Sequence, residues 1–200
     1  MAEEINEDLD NLIEKIEHEI REVSIYFELY LGLFGSQQNL KTINQSSPNV
    51  FLCFKQSLID MCIIKLCRLF DPARQRNFEN ISLDLLIESL DDDREIQSRL
   101  REKKNEMDVH MVQIKPYRNK RLGHNDRITH EEDRLREISN RSIDTVINLL
   151  QEFVNIIRLN KYKYEVHIVN LDYPLGDGPD RLMRLLQKGI DANRSELDNA

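Results

Sequence analysis

The sequence predicts an all-α protein, built as an up-and-down antiparallel helical bundle with a short C-terminal appendage. Three observations lead there. Apolar residues recur at steps of three and four over long stretches. Helix formers (Leu, Ile, Glu, Lys, Arg and Gln) dominate the text, and turn formers are scarce, with 6 Gly and 5 Pro in 200 residues. At 40% hydrophobic and 32% charged, the chain is long and apolar enough to bury a real core.

The first helix is predicted from Glu4 to about Leu33. Ile5, Leu9, Leu12, Ile16, Ile20, Val23, Phe27 and Tyr30 form one stripe opposite an acidic face. Gly32, Gly35 and Ser36 mark its end, and the polar stretch 36–47 reads as a loop. Ser47-Pro48 opens a second helix, with Ser as N-cap and Pro at the first helical position. Its apolar residues Phe51, Phe54, Leu58, Ile59, Cys62, Ile63, Leu66 and Phe70 exceed one stripe, so a central helix contacted on several sides is expected before Asp71-Pro72 stops it. A loop through Asn80 leads to a short helix, Ser82 to Leu90. Asp91-Asp92-Asp93 suggests a metal site by eye, but acids ahead of a helix cap its free amides and match its dipole. The helix that follows, about 93–114, carries Ile96, Leu100, Met107 and Met111, and Pro116 kinks or restarts it. Thr129-His130-Glu131-Glu132 has the spacing of a capping box. The helix it opens runs to about Leu159, with Leu135, Ile138, Ile143, Val146, Leu150, Phe153 and Ile157 inward. Residues 161–170 alternate and are β-branched, which fits a short strand or extended arm. A turn-rich linker, 173–179, precedes a last amphipathic helix over about 180–190, which carries Leu182, Leu185, Leu186 and Ile190 and has a frayed tail. This divides the chain into a bundle, 1–160, and a C-terminal extension, 161–200.

The net charge of −8 argues against a chain that coats itself in nucleic acid, so a polyanion partner needs a local patch. Cys53, Cys62 and Cys67 form no CxxC pair, and three cysteines in one apolar stretch read as buried thiols in a reducing compartment. The acidic amino terminus has no signal-peptide pattern, and Lys55, Asp60, Lys65 and Arg68 interrupt the apolar stretch 50–70 too often for a membrane span. A cytoplasmic protein without a membrane partner is expected.

One segment stands out from the acidic background. Lys115-Pro116-Tyr117-Arg118-Asn119-Lys120-Arg121-Leu122-Gly123-His124-Asn125-Asp126-Arg127 holds five cations and one carboxylate. Arg offers a planar fork for phosphate, Asn can hold a sugar or phosphate oxygen, and His titrates near neutrality. These groups suffice to cleave RNA without a metal, by moving the proton of a 2′-hydroxyl and stabilising the charged phosphorane. On a continuous α-helix, Arg118 and His124 stand about 120° apart and ~9 Å along the axis. They meet only if the helix ends at Gly123 so that His124 swings back, or if they come together across a dimer interface. Helical spacing alone puts Tyr117, Arg121 and His124 on one face. Composition leaves a solvated basic helix end as an equal alternative to a catalytic site.

The string Arg118-Asn119-Lys120-Arg121-Leu122-Gly123-His124 resembles the signature of HEPN domains: Arg, a polar residue, then His after four to six intervening residues. The wider layout resembles the abortive-infection, AbiU-like branch. An apolar helix ends in Cys67-Arg68-Leu69-Phe70-Asp71, followed by a charged helix, the motif, and a closing long helix, over residues 5–160. Gly123 departs from the usual Ala before the histidine. The resemblance implies a bundle that dimerises and places two motifs around a shared cleft, acting as a metal-independent endoribonuclease that leaves a 2′,3′-cyclic phosphate. It implies that Arg118 binds the scissile phosphate, His124 acts as general acid and base, and Asn119 orients or contacts the backbone. It also makes a nucleotidyltransferase-like antitoxin a plausible partner. Local charge adds Lys120, Arg121 and Arg127 as RNA-backbone contacts. Two rivals are kept: a catalytically inactive nucleic-acid or nucleotide binder using the same patch, and a helical structural adaptor. No HExxH pair, Gly-rich phosphate loop or nucleophile elbow occurs, so neither a metal nor another cofactor is expected. His18 and His110 sit among charged helix residues, His167 lies in the arm, and His130 is placed to assist His124.

Overall fold

The computed structural model describes residues 2–90, 93–122, 138–169 and 177–198. Within them the regular structure is helical apart from one tiny hairpin. The elements are α1 (Ala2–Phe34), α2 (Gln37–Ser46), α3 (Pro48–Leu69), β1 (Arg74–Gln75), β2 (Phe78–Glu79), α4 (Leu83–Glu88), α5 (Arg94–Tyr117), a π-helical turn (Arg118–Leu122), α6 (Asn140–Tyr162) and α7 (Pro179–Asp198). The all-α helical bundle expected from periodicity is what forms. The chain clusters into two compact units, Met1–Ser24 with Ile63–Val169 and Ile25–Cys62 with Asn170–Ala200.

The first unit is organised around α5 and α6. Leu100, Met107, Met111 and Ile114 of α5 are fully buried, as are Ile143, Val146, Leu150 and Phe153 of α6. Each such side chain contributes roughly 1.5–3 kcal/mol relative to exposure. The i, i+3, i+4 spacing read from the sequence is therefore the packing face. From α1 the unit takes Ile13, Ile16, Ile20 and Val23, and from α4 it takes Leu83 and Leu86. Ser82 caps α4 by accepting from the Leu85 N–H at 3.3 Å. Asp93 caps α5 in the same way, its Oδ1 accepting from the Ile96 N–H at 3.0 Å, so this acid serves the helix end; Asp91 and Asp92 lie outside the described residues.

Polar contacts tie α6 to α1 in antiparallel register. The Arg158 guanidinium donates through Nε and Nη2 to the two Glu17 carboxylate oxygens, at 2.6 and 2.8 Å, with each side chain 10% exposed. Arg158 also lies over the rings of Tyr162 and Tyr164. Further along, Lys161 and the Tyr162 hydroxyl both donate to Asp10. Lys65 of α3 reaches Glu22 of α1 at 2.7 Å.

After α6, residues 164–168 form neither helix nor strand, and no strand among the described residues pairs with them. Lys163 turns the chain out of the helix in the left-handed conformation, φ 63°. Side-chain amides of α6 then take the place of a neighbouring strand. Asn155 Oδ1 accepts from the Val166 N–H at 2.9 Å, Gln151 Oε1 accepts from the Ile168 N–H at 2.7 Å, and Gln151 Nε2 donates to the Val166 carbonyl at 2.5 Å.

The second unit corrects three sequence expectations. The stretch 36–47 is the helix α2, because Ser36 Oγ caps the Asn39 N–H at 3.0 Å and Asn39 Nδ2 donates to the Gly32 carbonyl at 2.7 Å. Thr42 and Ile43 give this short helix a buried face that one apolar pair was too little to announce. In α3, Cys62, Ile63 and Leu66 are buried as expected, but Val50, Leu52, Cys53 and Phe54 are exposed, so the central position belongs to its later part only. Helix α7 extends to Asp198, well beyond the expected 190, since 191–198 contains no Gly or Pro to stop it. It buries Met183 among Leu33, Phe34, Ile43 and Phe51, while Leu182 and Leu185 face outward. Gly32 allows this packing: a Cβ there would sit 2.7 Å from Pro179 Cγ. The predicted capping box at Thr129–Glu132, and Leu135, lie outside the described residues.

Breaking the Arg158–Glu17 pair from one side strands a buried charge, so Arg158→Met should cost about 3–5 kcal/mol in denaturant unfolding, and pairing it with Glu17→Leu should recover much of that loss. Burial acts to raise the Asp10 pKa, but hydrogen bonds from Lys161 and Tyr162 outweigh it and hold the carboxyl below 3.8; the bond from Lys65 holds Glu22 below 4.5. Carboxylates lowered on folding contribute stability above their unfolded values. The contribution of these two groups should therefore be fully present well above pH 4.5 and be lost as acid titrates them through their lower folded values, which an acid denaturation series comparing wild type with Asp10→Asn and Glu22→Gln reads directly.

Candidate functional site

Pro116 is the penultimate residue of α5 and has no N–H to give, so the α-helical ladder is already interrupted there. Just past it the chain relaxes into the π-helical turn Arg118–Leu122. Such wide turns are uncommon and concentrate at functional positions. The Arg118 N–H is shared between the Ile114 and Lys115 carbonyls, closing α5 and opening the turn. The α-helical spacing that favoured Arg121 over Arg118 therefore does not hold across this segment.

The Arg118 side chain points back to the end of α3. Its Nη2 donates to Asp71 Oδ1 at 2.5 Å, the two side chains being 33% and 30% exposed. Arg118 Nε is buried without a hydrogen-bond partner. Asp71 sits where α3 has unwound: its N–H bonds the Arg68 carbonyl at 3.1 Å, and Pro72 after it forbids another helical turn. One turn earlier on the same helix, the Cys67 thiol is pushed up to about 11 by burial, against the opposing pull of the charge of Arg118 and its hydrogen bond.

Lys115 also meets a carboxylate, Asp108, at 2.8 Å, and its ammonium lies 5.3 Å from the centre of the Phe70 ring. The basic island read along the sequence is thus less positive in space, since folding brings Asp71 and Asp108 to two of its five cations. Asn119 and Lys120 are exposed on the π turn. Arg121 lies in that turn; its side chain, and His124 and Arg127 entirely, lie outside the described residues, as does His130. A cavity of about 230 Å³ opens beside Asp71, lined by Glu19, Arg68 and Asn80 among others. Among the described residues, no three His, Cys, Asp or Glu side chains converge to hold a metal ion, and no helix is long and apolar enough to cross a membrane.

The model of the AbiU2 family of HEPN domains matches residues 6–160, from the start of α1 almost to the end of α6. The chain belongs to the AbiU2 family of HEPN domains. No curated protein and no solved structure matches it. The family match covers both segments on which the AbiU-like resemblance rested, Cys67–Asp71 and Arg118–Asp126. Sequence reasoning treated the first of these as a layout marker and assigned its residues no part in the site. In this HEPN domain Asp71 is the described carboxylate on Arg118. A lone acid between an apolar helix and a proline was the available signal.

The burial of Cys67 and the exposure of Cys53 make a direct check on this corner of the fold. At pH 8, a thiol-specific reagent should label Cys53 quickly in the native AbiU2 domain. Cys67 should react more than about 100-fold more slowly than a free cysteine peptide, and should become labelled at an ordinary rate only on unfolding.

Proposed function

We propose that this AbiU2 domain is a metal-independent endoribonuclease of the toxin or phage-defence type, acting as a homodimer with the Arg118–His124 motif of each chain at a common cleft. The observation that carries the reading is the placement of Arg118 on a π-helical turn at the end of α5, with exposed Asn119 and Lys120 beside it, in a chain whose family match spans the whole motif. RNA is the substrate. In the reaction the 2′-hydroxyl oxygen bonds to phosphorus and the P–O5′ bond breaks, giving a 2′,3′-cyclic phosphate and a 5′-hydroxyl. One proton leaves the 2′-hydroxyl and one reaches O5′, so two copies of His124 can serve as base and acid in turn. Arg118 meets the charge that grows on the non-bridging phosphate oxygens, and Asn119 orients the backbone. Lys120, Arg121 and Arg127 contact neighbouring phosphates and make binding salt-dependent. A nucleotidyltransferase-like protein is the antitoxin partner this assignment suggests, and the cytoplasm is where such a toxin would work.

The test compares purified wild type with His124→Ala and Arg118→Ala on mixed cellular RNA in the presence of a chelator. Wild type should cut and leave cyclic-phosphate ends. His124→Ala should lose about 10²–10⁴-fold in rate, and Arg118→Ala about 10²–10³-fold. Salt-sensitive RNA binding with no cleavage by any form would instead place the chain among the inactive binders of its fold.

A further inference from the structure

We propose that Asp71 is the positioning residue for Arg118: it holds the guanidinium by one terminal nitrogen and aims the remainder at the scissile phosphate. The inference rests on the ribonuclease reading and deepens it. Three observations support it.

The first is the quality of the contact. A single charge-assisted bond of 2.5 Å joins Nη2 to Oδ1, and two-thirds or more of each side chain is withdrawn from water, so screening is weaker than for a surface pair. The second is that the carboxylate stands on fixed backbone. Asp71 is pinned by its N–H to Arg68, and the next residues are clamped from across the hairpin, where Asn80 Nδ2 donates to the Pro72 carbonyl at 2.7 Å and the Asn80 N–H to the Ala73 carbonyl at 2.8 Å. The arginine it holds stands on a π turn, where α-helical geometry does not set the direction of the side chain. An external anchor is what gives that long side chain one direction.

The third is the division of the donors. A guanidinium has five N–H groups in a plane. Asp71 engages it through one oxygen at one terminal nitrogen and does not close a bidentate fork over both ends. Nε is buried without a hydrogen-bond partner, and the guanidinium also bonds the Cys67 sulfur, so Asp71 is its charged anchor and leaves N–H groups over for an anion. A carboxylate placed this way orients without occupying the phosphate-binding edge. It also repels RNA slightly, so its removal separates affinity from rate.

The experiment uses the full chain with Asp71→Asn and Asp71→Glu, each checked for an unchanged thermal transition. Asp71→Asn should lower kcat by about 100-fold, the cost typical of a misplaced reacting group, while RNA binding stays equal or becomes tighter. Asp71→Glu should restore part of the rate. A merely structural role would instead weaken binding and rate together with stability. Cleavage by Asp71→Asn at the wild-type rate overturns the proposal, and faster cleavage overturns it in favour of an inhibitory clasp. Nitrogen-15 resonances of the Arg118 guanidinium provide a readout independent of activity. They should show hindered rotation in wild type and free rotation in Asp71→Asn, and no difference between the two refutes the anchor. If wild type cuts no RNA, the ribonuclease reading fails by itself, and these resonances still decide whether Asp71 holds Arg118.

Discussion

The buried pair between Arg158 and Glu17 is the constraint on which the described part of the first unit depends. A charged group with a tenth of its side chain in water must find its counter-charge in one geometry, so the pair admits only one register between α1 and α6. Apolar packing is more permissive, because a stripe of Ile and Leu can slide by a turn at modest cost. The two carboxylate oxygens of Glu17, each taking one guanidinium N–H, remove that freedom. Tyr162 and Tyr164 cover the guanidinium, and Lys161 repeats the linkage a turn away at Asp10. With α6 fixed, the apolar face it shares with α5 is fixed as well, and α5 ends at Arg118.

Structure and chemistry meet at that end through a local weakness. Proline withholds one N–H near the end of α5, the next turn widens, and a long cation is left on backbone that cannot direct it. Direction comes from the far side of the sequence, 47 residues earlier, where another proline has stopped another helix. Two helix-breaking events therefore create one contact. The first frees the arginine from helical geometry and the second supplies a carboxylate that is not itself consumed by a helix.

Much of the fold was legible from spacing. The inward face of α5, and that of α6 from Ile143 onward, follow the apolar pattern, although Ile138, expected on the same helix, precedes its start at Asn140; the caps at Ser82 and Asp93 follow from small polar residues ahead of apolar runs. Helix α2 was hidden because its buried face is only Thr42 and Ile43, and its cap partner Asn39 bonds upstream to Gly32. Around Arg118, one-dimensional reading overstated the positive charge. Asp108 and Asp71 are supplied by folding, and no count taken within 115–127 includes them.

The arm at 164–169 shows how little material can stand in for a β-ladder. One residue, Gln151, accepts from the Ile168 N–H through its oxygen and donates to the Val166 carbonyl through its nitrogen. Beside the Asn155 bond to the Val166 N–H, the attachment is thus written in the polarity of a single amide group. Glutamate has the same shape and would still accept, yet it would set a negative oxygen against the Val166 carbonyl. Deamidation, an ageing reaction of glutamine that changes one heavy atom, would turn one bond of this clasp into a repulsion and loosen the strap, leaving Asn155 to hold the Val166 N–H.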